Sequence, residues 1–123
     1  MPSPFACPVE ATSHVLAGKW KALILWHLSF QTLRFAELRD LLQGVSEKVL
    51  GEQLRQLARD GVITRTSTGT QPARVDYALS PAGRELVPVM EQMYAWGVSH
   101  LGVAPNLPRE PQSPAPGAND GRE

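Results

Sequence analysis

The sequence predicts a mainly α-helical domain with one small β-hairpin, an α+β arrangement, on three observations. Apolar residues recur at helical spacing in two adjacent segments, Phe35 to Leu42 and Ser46 to Asp60, separated only by the turn Gln43-Gly44-Val45. The period then shortens to two between Val62 and Leu79, around the turn-forming run Gly69-Thr70-Gln71-Pro72-Ala73. Ser80-Pro81 opens one more helix, with serine at the cap and proline at the first helical position, where a missing N–H costs nothing. With 123 residues, 42% hydrophobic and 20% charged, the chain can build one real core and has little room for a second.

Each element has its own reason. Pro8, after Cys7, suits a first helical position and Glu10 suits the positive end of the helix dipole, so a short helix is expected from about Val9 to Leu16. Lys19 to Ser29 spreads Trp20, Leu23, Ile24, Trp26, His27 and Leu28 over more than half the helical wheel, too wide for a surface helix, and is read as the central buried one. Leu33-Arg34 suits a short strand, and Phe35 to Leu42 a two-turn helix. Ser46 then caps a helix that Gly61 stops. In it Leu50, Leu54 and Leu57 form a buried stripe, with Lys48, Gly51, Glu52, Arg55, Gln56 and Arg59 on the far side.

Val62 to Thr68 is rich in β-branched residues, and Val75, Tyr77 and Leu79 alternate with Arg74, Asp76 and Ala78. The last helix should reach about Leu101, with Pro88 kinking it. Ala104 to Glu123 holds five prolines and one large apolar side chain, Leu107. Ordering it would cost roughly 1–2 kcal/mol per residue with little burial in return, so residues 1–103 are expected to form the domain and 104–123 a disordered Pro-rich tail.

Composition excludes more than it assigns. Lys+Arg and Asp+Glu both number 12, so bulk charge makes no case for a nucleic acid, a membrane or an acidic substrate. The single cysteine, Cys7, excludes an internal disulfide framework and any multi-cysteine metal site. His14, His27 and His100 are widely separated, and the sequence holds no phosphate loop, nucleophile elbow or paired-carboxylate constellation. No enzyme, metal or cofactor is expected. Met1-Pro2-Ser3-Pro4-Phe5 lacks the basic and apolar regions of an export signal, and the longest apolar run, Ala22 to Trp26, cannot cross a bilayer. A cytoplasmic location without membrane contact is therefore expected.

Helix, helix, short strand, helix, turn, helix, hairpin, helix is the element order of a winged helix-turn-helix domain. In that arrangement the second helix of the central pair enters the DNA major groove and the hairpin reaches the neighbouring backbone. Ser46, Lys48, Gln53, Arg55, Arg65 and Arg74 are the side chains expected near double-stranded DNA, with Lys48 and Arg55 in the groove. From Arg34 to Arg74 seven basic residues stand against five acidic ones, a surplus so small that two copies make the more sensible binding unit. The alternative is a winged helix used for protein–protein contact, which would keep the leucine stripes without needing Lys48 and Arg55.

Ten of the sixteen residues from Leu86 to Leu101 are apolar and spread around most of the wheel, more than one small domain can cover. Met90, Met93, Tyr94, Trp96 and Leu101 are therefore the candidate homodimer interface.

A longer series of motifs carries a specific resemblance. Cys7-Pro8-Val9, Gly18-Lys19-Trp20, Arg34-Phe35-Ala36-Glu37-Leu38, Ser46-Glu47-Lys48-Val49-Leu50, Asp60-Gly61, Val75-Asp76-Tyr77-Ala78-Leu79 and Pro81-Ala82-Gly83-Arg84 occur in register between residues 7 and 101. The series resembles the HxlR-type, MarR-like bacterial transcriptional regulators. The resemblance implies a homodimeric winged helix that regulates transcription, often in response to oxidants, aldehydes or other small electrophiles; dimer geometry, with the two groove helices about 34 Å apart, then implies a pseudo-palindromic operator. Cys7 is then the redox-sensor candidate, placed before the first helix, where free N–H groups favour a thiolate. Position alone favours a small, buried, inert cysteine beside Phe5 and Val9, and the resemblance shifts the reading toward a sensor. Family sensors that link two different cysteines need a second one, and this chain has none.

Overall fold

The computed structural model describes residues 4–69 and 73–108. Thr70, Gln71 and Pro72 of the expected hairpin turn lie outside the described residues, as do Met1 to Ser3 and residues 109–123 of the expected tail. The elements are α1 (Pro8–Val15), α2 (Lys21–Leu28), α3 (Phe35–Leu41), α4 (Glu47–Arg59), β1 (Ile63–Thr68), β2 (Arg74–Leu79), α5 (Pro81–Arg84) and α6 (Val87–Leu101). This is the winged helix-turn-helix order, with α3 and α4 as the central pair.

Leucines at helical spacing decide where the helices meet. Leu50, Leu54 and Leu57 of α4 pack with Leu38 of α3 on Ile24, Leu25 and Leu28 of α2, all buried. Burying each such side chain stabilises by about 1.5–3 kcal/mol relative to leaving it exposed. Ser46 caps α4, its Oγ accepting from the Val49 N–H at 3.1 Å. Gly61, at φ 80°, takes the left-handed turn that sends the chain from α4 into the hairpin.

β1 and β2 pair antiparallel, from Ile63 opposite Leu79 to Thr68 opposite Arg74. The expected strand at Leu33-Arg34 contracts to one residue. Leu33 exchanges both backbone hydrogen bonds with Tyr77, at 3.0 and 2.8 Å, whereas Arg34 is already the N-cap of α3 and donates its N–H to Glu37 Oε1 at 2.8 Å.

The single kinked last helix is replaced by two helices. Pro88 lies in the first turn of α6, and α5 stops at Arg84. A continuous helix would set the proline ring against the Arg84 carbonyl and remove that bond, so the break falls where proline costs least. α5 in turn lies so close to the wing that a Cβ on Gly83 would overlap the Val62 carbonyl oxygen. Packing also continues past residue 103: the Asn106 N–H donates to the Tyr94 hydroxyl at 2.8 Å, and Leu107 and Pro108 close against α2 and α6. No helix among the described residues is long and apolar enough to cross a membrane.

Candidate nucleic-acid interface

The outer face of α4 is polar because its inner face uses every leucine. Lys48 and Arg55, seven residues apart and so on one line along the helix, are both exposed, with half-buried Glu52 between them. Gln53 stands about 140° round the helix from Lys48 and is half-buried. Ser46, exposed at the helix start, accepts a capping bond with its oxygen and keeps its O–H free to donate.

Arg55 and Arg65 come together. They line one groove of about 450 Å³ between α4 and the hairpin, with Gly51, Leu54, Ala58, Phe35 and Tyr77 completing it and no acidic residue among its walls. Arg74 is placed differently. It ends the β ladder, and its Nε donates to both carboxylate oxygens of Asp76 at 3.3 and 3.2 Å, so its charge is already paired within the wing.

Sequence reasoning missed Arg39. Its Nη1 donates to Glu47 Oε2 at 2.8 Å and its Nε lies 3.5 Å from Asp40. The bond from Glu47, and then the Asp40 charge, raise the guanidinium pKa above its ordinary value. The contact joins α3 to the first turn of α4, fixing the pair that presents Lys48 and Arg55. The available signal was a basic residue in the last turn of one helix and an acidic one in the first turn of the next.

Cys7 is exposed and is the N-cap of α1. Its thiol makes no capping bond of ordinary geometry, yet the backbone N–H groups of Glu10 and Val9 face it and hold its pKa below the usual thiol value. In the single chain this side chain is not buried. α1 itself buries none of its residues, and Val9 is 73% exposed.

The five residues expected at a dimer interface divide into two sets. Met90 is in the subunit's own core and Tyr94 stacks on Trp26 with ring centroids 5.5 Å apart, because α6 turns that side onto α2. Met93, Trp96 and Leu101 are exposed, together with Val89. Among the described residues no cluster of His, Cys, Asp or Glu could hold a metal ion.

Residues 15–104 match the family profile described as HxlR-like helix-turn-helix. The chain is 43% identical over 93 residues to the uncharacterized HTH-type transcriptional regulator YtcD of Bacillus subtilis, covering 76% of this chain and 74% of that protein. Among solved structures it resembles the redox regulator HypR in its reduced form, with TM-score 0.75, 37% identity and coverage of 77% of this chain and 94% of the other. It also resembles the reduced form of the transcriptional regulator YodB from B. subtilis, with TM-score 0.69, 29% identity and coverage of 78% and 95%.

Proposed function

The chain belongs to the HxlR-like helix-turn-helix family of transcriptional regulators, and from that premise we propose that it binds a pseudo-palindromic DNA operator as a homodimer. The observation that carries this reading is the pairing of Arg55 on α4 with Arg65 on the hairpin around one groove free of acidic side chains. Lys48 and Arg55 are the base-edge candidates, Ser46 and Gln53 flank them, and Arg65 and Arg74 are wing contacts to phosphate.

Dimerisation is supported at both ends of the chain. An eight-residue helix with no fully buried residue, held to the core only through half-buried Val15, α1 gains little stability from its own hydrogen bonds and has further surface to pack. α6 offers Val89, Met93, Trp96 and Leu101, each at least 41% exposed. Two copies would set their α4 helices about 34 Å apart, one turn of B-DNA. Residues 1–103 would supply both activities, and the Pro-rich segment after them neither.

The names of HypR and of YodB's diamide-treated form associate relatives with redox chemistry. In this chain Cys7, exposed and held toward its thiolate form, is the group that would react with a small oxidant or electrophile. With no second cysteine, its products are a capped or alkylated thiol or a Cys7 to Cys7 link between subunits, the latter needing Cα atoms within about 7 Å. Each would alter α1 packing and so the spacing of the α4 helices.

Recovery of genomic fragments retained by the purified protein, with light scattering on the free and bound forms, tests this reading. A dimer that retains fragments sharing a palindromic element is expected. A 13.4 kDa particle, or retention that is indifferent to sequence, would leave a protein–protein role for the same fold.

A further inference from the structure

We propose that the groove between α4 and the hairpin binds a small aromatic dianion, such as an aryl phosphate monoester, and that this ligand and DNA exclude one another. Binding itself needs no operator; the exclusion rests on the operator reading, since both partners would use Arg55 and Arg65. The groove measures about 450 Å³, within the range of small-ligand sites. Half of its lining is apolar, with the rings of Phe35 and Tyr77 beside Leu54 and Ala58. A backbone phosphate of a duplex would use the two guanidiniums and leave those walls uncovered. A ligand with a flat apolar body uses both.

Two cations share this recess without a counter-charge. A Cβ on Gly51 would lie 3.4 Å from Arg55 Nη1, which puts that guanidinium against the wall that Gly51 leaves bare. Arg65 is the cross-strand partner of Tyr77, and residues directly opposite share a face of the ladder. Neither arginine makes an ion pair or hydrogen bond among the described residues, whereas Arg39 and Arg74 are both paired with carboxylates. Tyr77 is 9% exposed, and its hydroxyl likewise has no partner among the described residues. The one sealed side-chain polar atom left unpaired among them is His27 Nδ1, so the Tyr77 hydroxyl meets solvent, and the groove is the opening that its ring lines. It adds a neutral donor to the two cations. A phosphate monoester, with a charge of about −1.5 to −2 near pH 7, balances both guanidiniums and offers each a pair of oxygens. A carboxylate balances one.

The full chain, labelled with ¹⁵N at its arginine side chains, would be titrated without DNA with 1-naphthyl phosphate, 1-naphthol, 1-naphthoate and inorganic phosphate. The expected result is a saturable shift of the Arg55 and Arg65 Nε–H signals, with 1-naphthyl phosphate bound at least about tenfold tighter than 1-naphthol or inorganic phosphate, the worth of one hydrogen bond to a charged group. Naphthoate should bind more weakly than the phosphate ester. Arg65→Met should lose most of the affinity, and Arg59→Met, which removes a charge of α4 outside the groove walls, should keep it. Inorganic phosphate bound as tightly as the ester would show an anion contact with no use for the apolar walls. Naphthol or naphthoate bound as tightly would remove the dianion, and equal losses in the two variants would trace binding to bulk charge; each of these results overturns the proposal. Duplex affinity should fall as the ligand saturates, and an unchanged affinity would overturn the exclusion. Because the titration contains no DNA, its failure leaves the operator reading standing, and a chain that retains no duplex sinks that reading without touching the titration.

Discussion

The Ser80 hydroxyl donates to the Gly61 carbonyl oxygen at 2.7 Å, joining the end of the wing to the turn that follows α4. Ser80 is 7% exposed, and its own Oγ accepts from the Gly83 N–H at 3.0 Å. One buried side chain therefore sets three segments: the turn that leaves α4, the exit of β2 and the start of α5.

Ser80→Ala removes a cap and leaves a part-buried carbonyl and a buried N–H without this partner, so a loss of about 1–2 kcal/mol in folding stability is expected. Urea unfolding of the variant beside the wild type checks this. A loss within error of zero would mean that the wing is fixed by strand pairing alone.

Asp76 pairs with the Arg74 guanidinium and so competes with phosphate for it. Asp76→Asn should release that guanidinium and steepen the salt dependence of duplex binding by up to about one unit in log–log slope, with tighter binding at low salt. A salt titration of both proteins on one duplex measures the change; identical slopes would show that the wing tip stays clear of DNA.

Cys7 faces free backbone N–H groups, so its thiolate fraction should rise at lower pH than that of an ordinary cysteine, near 8.5. The rate of alkylation by iodoacetamide, followed against pH, should reach half its maximum at lower pH in the folded chain than in urea. Coincident profiles would remove the basis for a sensor role.

His27 titrates with a defined sign. Burial depresses its folded pKa, so in the interval below the unfolded value of about 6.5 the unfolded chain binds more protons than the folded one. The stability it contributes is present above that value and is lost as pH falls through the lower, folded one. Unfolding free energies at pH 7.5 and in that lower interval should therefore fall more steeply in the wild type than in His27→Phe; parallel behaviour would show that His27 gains solvent or a partner in solution.

The sequence made the recognition helix legible because its signals are local: Ser46 at the cap, three leucines at helical spacing and Gly61 after the end. The hairpin was equally legible, through alternation of Val75, Tyr77 and Leu79. The break before Val87 was not, since the apolar pattern runs through it and only the cost of Pro88 against Arg84 decides between a kink and two helices. The roles of Met90 and Met93 were inseparable for a related reason: periodicity says that a helix is apolar on several sides, not which side meets its own core. Asn106 with Tyr94 depends on helix placement that no local pattern encodes, and the charges of Arg39 and Glu47, visible at adjoining helix ends, do not by themselves say that the two side chains meet.

The central claim is that the exposed line of α4 reads base edges, and the most direct measurement is the affinity of Lys48→Ala and Arg55→Ala for the recovered operator and for a scrambled duplex of equal length. Where a side chain reads a base, its variant should lose about 1–3 kcal/mol on the operator, roughly fivefold to 150-fold in Kd, with little change on the scrambled duplex and an unchanged melting temperature. Undiminished operator affinity in both folded variants would contradict the assignment of α4 to the groove.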